Sequence, residues 1–390
     1  MTAVEDVLFY GSSPWDETWL TEHYLSEALS QRVRVLFVDP AFSVLTPLRR
    51  HGAVAGARRV AGLLARPRRS EGHVHVLRTT ALPPKENRWA RAASAPWRRA
   101  QVQRAVRAAG LDVGLVVTAA AFDDSTWIPD GAVRVSIVKD WLEAGAHLTG
   151  LPAEVVRERQ QRTWRTADLV CAISTRLQDR LREEGVEAEL LRHGSLSART
   201  APVSGRPVPA ALSALPRPLI GAVGRIDARW DHAALAAVAE ENPGGSVLLI
   251  GPVSPRADRG ALERLQRLPN VHLLPAVPNV QLPAWVEALD CATVPYVDDP
   301  WQRYASPLKI WDYLRAGTPT AATGCPALGE FPDGLVHFAL PSRELPRLVR
   351  EALAEPAENR QHRTAFAAAN TWDDRAAQLL GLAASRRALS

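Results

Sequence analysis

Apolar runs with no polar face recur along the chain. Between them lie stretches with apolar residues at helical spacing. In the first half the runs are DVLFYGSS from Asp6, VRVLFVDP from Val33, HVHVLRTT from His73, DVGLVVTAA from Asp112, VRVSIVKD from Val133 and LVCAIST from Leu169. The segments TWLTEHYLSEALSQR from Thr18 and RRAQVQRAVRAAG from Arg98 carry the helical spacing. Strands that read as continuous apolar runs and alternate with helices predict parallel sheets covered on both faces. Residues 197–218 break the pattern: five prolines and no periodicity predict an interdomain linker. A second alternation follows, with LIGAVGRID from Leu219, GSVLLIGPV from Gly245, NVHLLPAV from Asn270, CATVPYV from Cys291, TPTAAT from Thr318 and LVHFAL from Leu335. The expected architecture is α/β, with two doubly wound domains facing a cleft and ligands at the carboxyl ends of the strands.

The totals agree with two domains, since 390 residues exceed one ordinary core. Hydrophobic residues make up 46% and charged residues 23%, a globular rather than disordered composition. The longest apolar run, Leu111 to Phe122, is about twelve residues, too short for a bilayer that needs about 20. The opening MTAVEDVLFYG is acidic and shows no signal peptide, so a cytoplasmic protein is expected. Cys171, Cys291 and Cys325 form no CxxC pair and predict reduced thiols.

The net charge of +5 is unevenly spread. From Arg49 to Arg107 there are fifteen Arg or Lys against two Glu. This local excess fits either a solvated helical surface or peripheral contact with an anionic membrane. No recognition module accompanies it, so nucleic acid is not an expected partner.

Lysine is rare here: three residues against 44 arginines. One of them, Lys309, sits in RYASPLKIWDYLRAGTPTAAT, residues 303–323. Ser306 and Pro307 read as an N-cap and a first helical residue, Gly317 as a left-handed terminator, and Pro319 blocks continuation. The predicted helix runs from Pro307 to Ala316. Its first turn carries unpaired amides at the positive end of the dipole, a ready anion site. A lysine there is locally unfavourable unless an anion joins it. Ser306 and Lys309 make a donor cluster suited to phosphate, and Asp312, on the same face, could accept from ribose hydroxyls. A surface Lys–Asp pair is the plainer reading. A second anion element lies in LIGAVGRIDARWD, where Gly221 and Gly224 permit close backbone approach and Arg225 could grip a phosphate. GxGxxG, DxD, HExxH and Cys/His ligand spacings are all absent.

Together these segments resemble the GT-B glycosyltransferases, and most closely a bacterial family-four-like branch. SPLKIWDYLRAGTPTAAT is similar to that branch's PLKxxEYLAxGkPVVat signature, and GAVGRIDARWD to its GxIxxrxD strand and loop. ADLVCAIST followed by LLRHGSL resembles the turn into the linker. The opening through VRVLFVDP resembles the start of the acceptor domain. TWDDRAAQLLGL resembles a last helix that crosses back to the N-terminal domain. The resemblance implies domains at 1–200 (acceptor-binding), 201–372 (nucleotide-sugar-binding) and 373–390 (returning helix). It implies transfer of a sugar from a UDP-, dTDP- or GDP-linked donor to an acceptor hydroxyl on a glycan, lipid-linked or natural-product acceptor, with no metal and no cofactor. A nucleotide-sugar 2-epimerase and a non-catalytic nucleotide-sugar-binding protein are the competing readings. Arg225 and Lys309 would hold the diphosphate, with Gly224, Ser306, Pro307 and Leu308. Asp312 stands where the branch has a ribose-binding Glu. Tyr304 replaces the first Glu of the ExxxxxxxE pair. Arg229 would stand in for a lysine missing from the GR loop.

On the acceptor side, Asp140 ends a strand beside Lys139 and Trp141, and is the first candidate for a base. Asp16 and His23 are the others. Gly11 and Ser12 form the loop after the first strand, and Trp15 or Trp141 could stack on a sugar face. Asp298 and Asp299 fit either sugar contacts or a solvated acidic loop.

Overall fold

The computed structural model describes residues 6–43, 68–69, 73–81, 88–119, 125–146, 151–197 and 207–388. Residues 49–67, 70–72 and 82–87 of the basic stretch, and 198–206 of the expected linker, lie outside the described residues. The chain divides into two compact units. One comprises Met1–Ile173, Leu177–Arg192 and Trp372–Ser390, and the other Ser174–Arg176 and His193–Thr371.

The N-terminal unit holds β1 (Asp6–Tyr10), β2 (Arg34–Val38), β3 (Phe42–Ser43), β4 (Arg68–Arg69), β5 (His75–Leu77), β6 (Thr80–Ala81), β7 (Val113–Thr118), β8 (Val133–Val138), β9 (Leu169–Ala172) and β10 (Glu189–Leu190). Eight form one sheet in the order β10-β9-β8-β7-β1-β2-β5-β4, while β3 and β6 pair apart. Only the β4–β5 edge of the large sheet is antiparallel. β1 is buried along its whole length, as a strand covered on both faces must be. The buried Asp6 carboxylate fixes its start: it accepts from Arg34 Nε and Nη2 at 2.7 and 2.6 Å, and from the Asp112 amide. One acidic side chain thereby ties together β2, β1 and the approach to β7.

The last helix, Trp372–Arg387, belongs to this unit. Trp372 stacks on Tyr24 with centroids 5.6 Å apart, and Gln378 Nε2 donates to the Leu190 carbonyl at 2.8 Å.

The C-terminal unit holds a six-stranded parallel sheet. Its strands are β11 (Leu219–Val223), β12 (Ser246–Ile250), β13 (Val271–Leu274), β14 (Cys291–Pro295), β15 (Thr320–Thr323) and β16 (His337–Ala339), in the order β13-β12-β11-β14-β15-β16. The chain runs outward from β11 to β13, then returns to the other side of β11 as β14. That reversal makes a crevice outside the carboxyl ends of β11 and β14. The N-terminal sheet reverses in the same way between β1 and β7. The three cysteines are buried and free, as reduced thiols should be. Among the described residues, no helix is long and apolar enough to cross a membrane.

At the end of β12 the backbone closes tightly on β11. Gly251 has φ +144°, and a Cβ there would lie 2.1 Å from the Gly224 carbonyl oxygen. No side chain fits without moving the β11 loop. Gly251→Ala is therefore expected to lower stability by about 1–3 kcal/mol, measured by denaturant unfolding, and to displace Gly224.

Candidate functional site

Two loops and a helix of the C-terminal unit meet at its reversal point. After β11, Gly224 takes φ +127°, a conformation other residues rarely adopt. Ile226 then bonds Pro252, and Asp231 caps the His232–Glu241 helix through Ala234 N at 2.9 Å. After β14, Val297 N donates to the Arg229 carbonyl at 2.9 Å, which joins this loop to the first. The third element is the Lys309–Ala316 helix. Its buried Tyr313 hydroxyl accepts from Val223 N at 3.1 Å and donates to the Thr293 carbonyl at 3.4 Å. One phenol thus locks the helix to the ends of β11 and β14.

Lys309 is held at this junction. Its Nζ lies 5.2 Å from the Trp230 ring centroid and 5.1 Å from that of Tyr296. A Cβ on Gly224 would be 2.8 Å from Nζ, so the glycine makes room for the ammonium. Both rings are buried, and each contact stabilises the cation by about 0.5–2 kcal/mol. Among the described residues, Lys309 has neither a carboxylate partner nor a hydrogen bond.

Asp227 could have neutralised it but pairs elsewhere. Arg229 donates to both Asp227 carboxylate oxygens, at 2.7 to 3.1 Å, and rests against the Tyr296 and Trp301 rings. Burial opposes the Asp227 charge, but the Arg229 bonds and the nearby Lys309 outweigh it and hold the carboxyl below its ordinary range. Arg225 extends from the loop after Gly224, exposed and without a hydrogen bond or ion pair to any described residue. Among the described residues, Lys309 and Arg225 are thus two cations without an ion-pair partner, whereas Arg229 has one.

The helix begins two residues later than its sequence signals suggest. Leu308 occupies the N-cap position and Ser306 makes no cap bond. The amides of Ile310 and Trp311 close tight turns on the Pro307 and Leu308 carbonyls, at 3.3 and 3.0 Å. These bonds wind the entry as a turn rather than a capped start. Gly317, with φ +69°, ends the helix as its position predicts. Asp312 is half-buried, and its carboxylate accepts no hydrogen bond from the described residues. Burial pushes it up to about 6, against the pull of Arg315. Tyr304 ends a short 3-10 turn, Gln302–Tyr304. Asp299 caps that turn through Trp301 N and Gln302 N at 2.8 and 3.0 Å, and Asp298 pairs with Arg303 at 3.4 Å.

In the N-terminal unit the acceptor-side residues separate into two groups. Ser12 follows β1 and joins a buried ion pair. Lys139 Nζ donates to Glu22 Oε2 at 2.5 Å and to Ser12 Oγ at 3.0 Å, while Ser12 Oγ donates to Glu22 Oε1 at 2.5 Å. Burial raises the Glu22 carboxyl, but Lys139 and Ser12 override it and bring it down to about 2. Asp140 and Ser12 line a cavity of about 130 Å³ within this unit. Asp16, Trp15 and His23 lie together elsewhere. Asp16 pairs with Arg78, and Trp15 packs on the His23 and Phe37 rings. His23 is fully buried: Nδ1 accepts from the Leu20 amide at 3.0 Å and Nε2 faces the Pro14 carbonyl. Burial lowers its basicity. Gly11 admits the Phe37 ring, which a Cβ would meet at 2.2 Å.

Sequence reasoning passed over Asp227, Trp230, Tyr296, Tyr313 and Glu22. Asp227 and Trp230 sit within the GR loop that drew attention to Arg225, so proximity to that loop was the available signal.

Comparison with known proteins adds the fold name. No protein-family model matches the chain. A 119-residue segment is 27% identical to TuaH of Bacillus subtilis (strain 168), whose name provisionally assigns it as a glycosyltransferase of teichuronic acid biosynthesis; the match spans 30% of each protein. Three solved structures align along almost their whole length. Sucrose-phosphate synthase from Thermosynechococcus elongatus gives a TM-score of 0.69 at 15% identity, covering 99% of this chain and 100% of that one. Anabaena HepE in complex with UDP and glucose gives 0.66 at 16%, covering 98% and 100%. A glycosyltransferase from Rickettsia africae ESF-5 gives 0.66 at 9%, covering 98% of each. The chain has the GT-B fold. Its two Rossmann-like units are the two doubly wound sheets described above, and in this GT-B chain each unit carries its polar cluster at a strand reversal.

Lys139→Met would strand the buried Glu22 charge, an expected cost of about 3–5 kcal/mol at neutral pH. A carboxyl held below its ordinary value contributes stability above that value and loses it as pH falls. The gap between wild type and variant should therefore narrow as pH drops from 4.5 towards about 2, followed by denaturant titration.

Proposed function

We propose that the chain is a metal-independent glycosyltransferase that moves a sugar from a nucleotide-diphosphate sugar to an acceptor hydroxyl. The observation that carries this is Lys309, an ammonium with no carboxylate partner among the described residues, steadied by two rings beside Gly224 at the β11–β14 reversal. The amides of Leu308 and Lys309 bond no described residue and add donors to the same place. Arg225 leaves the neighbouring loop and supplies a second uncompensated charge.

In transfer, the bond from the sugar's anomeric carbon to the diphosphate oxygen breaks, and a bond to the acceptor oxygen forms. The acceptor loses a proton, which Asp140 is assigned to take. Negative charge gathers on the departing diphosphate, and cations already in place stabilise it without reorganising. Asp312, with its unused carboxylate on the same helix, is assigned to the ribose hydroxyls. UDP is the probe of choice, because the structurally similar HepE was solved with UDP and glucose.

UDP should raise the melting temperature, with about 2.7 kcal/mol of added stability at 100 times its dissociation constant. Lys309→Ala removes charge-assisted bonds of about 1.5–3 kcal/mol and should weaken UDP at least tenfold in calorimetric titration. An unchanged affinity removes Lys309 from the site.

The pH dependence tests Asp312. Ribose hydroxyls bond more strongly to the ionised carboxylate, which in the free protein forms as pH rises through about 6. UDP affinity relative to Asp312→Asn should rise through that range and level off above it. A constant ratio between pH 5 and 8 overturns the assignment.

A further inference from the structure

The cavity in the N-terminal unit is lined by a residue with a buried polar atom that no described residue bonds. Gln160, on the Ala153–Arg165 helix, is 3% exposed, and its Oε1 is buried with no hydrogen-bond partner among the described residues. Its Nε2 faces the Asp140 carbonyl at 3.5 Å. That contact fixes the amide, since turning it over would set oxygen against oxygen. Nearby Thr163 directs its hydroxyl proton to the Arg159 carbonyl at 3.0 Å. A buried acceptor without a donor is costly. Gln160 lines the cavity, so a molecule in the cavity can supply the missing donor.

Charge and size narrow what that molecule is. Lys139 has one N–H left beyond those given to Glu22 and Ser12, and can donate to a ligand oxygen. Its charge, however, is already answered by Glu22, and Asp140 adds a second carboxylate at the cavity wall. One ammonium against two carboxylates disfavours a phosphorylated or carboxylated ligand. The volume, about 130 Å³, is near the roughly 150 Å³ of an engineered cavity that takes benzene, and the cavity is partly open, so it seats the ring of a six-membered polyol while outer hydroxyls reach the opening. Leu20, Leu142 and Trp164 offer apolar surface to its C–H face.

We infer that this cavity binds a neutral six-membered polyol, a sugar or cyclitol ring, with one hydroxyl donating to Gln160 Oε1 and another accepting from Lys139 Nζ. This deepens the transferase reading by naming the acceptor class, and rests on that reading only for the ring's role as acceptor.

Binding is measured by saturation-transfer NMR and calorimetry on the full chain. The probes are methyl β-D-glucopyranoside, methyl α-D-mannopyranoside and myo-inositol, each against a phosphorylated or carboxylated counterpart. At least one neutral ring should bind, with its charged counterpart at least tenfold weaker. Gln160→Leu should weaken that ring at least tenfold while the melting temperature holds or rises, because an apolar isostere removes the orphaned acceptor. A purely structural glutamine would instead lower the melting temperature. Should Gln160→Leu fail to fold, Gln160→Met carries the same expectation.

The inference is overturned if no neutral ring binds and water alone fills the cavity. It is also overturned if the charged counterparts bind as well, or if the Gln160 variant keeps wild-type affinity. UDP binding, read on the same samples, reports the C-terminal unit separately. Its loss with ring binding intact would remove the transferase reading alone.

Discussion

A single ammonium, kept over two aromatic rings and denied a carboxylate, sets the terms for the C-terminal unit. Lys309 packs its ammonium against residue 224, a glycine with φ +127°, and a Cβ there would push the ammonium aside. The β11 loop can lie there only because residue 251 has no side chain either. The helix carrying the lysine keeps its register through the Tyr313 hydroxyl, bonded to Val223 and Thr293. Aspartate 227 is near enough to feel the charge, but its oxygens belong to Arg229. A cation left unanswered in a half-buried place interacts with an incoming anion far more strongly than one in open water, where the dielectric constant is about 80.

That logic was partly visible in the sequence. Continuous apolar runs of strand length, alternating with helical segments, point to parallel strands covered on both sides. Gly317 marked the helix end, since a left-handed residue without a Cβ is the ordinary way to stop. Lys309 was conspicuous as a lysine in an arginine-rich chain at a helix start, where an acid belongs. The helix start was misread because Ser306 and Pro307 make a strong local signal, while the turn actually wound at Pro307 and Leu308 depends on packing.

Long-range pairs stayed hidden. Trp230 and Tyr296 are 66 residues apart and meet only because β11 and β14 are neighbours. Glu22 and Lys139 are 117 apart and meet beside the strand reversal of the N-terminal sheet. Gln160 looked like any polar residue on an amphipathic helix; its unused oxygen is defined by what surrounds it in three dimensions. Periodicity reports which face of an element is buried, and says nothing about which distant side chain answers it.

The two described lysines show why a chain so rich in arginine uses lysine at these places. A guanidinium is a broad fork that asks for a planar partner, as Arg34 finds in Asp6 and Arg229 in Asp227. An ammonium is a compact point charge that fits where a fork does not, against Gly224 or between Glu22 and Ser12. At Lys139 the point charge is neutralised from within by Glu22. At Lys309 no described carboxylate neutralises it, and two aromatic rings steady it instead. The same side chain thus serves two electrostatic roles: one inside a closed ion pair, the other as a cation that no described carboxylate neutralises.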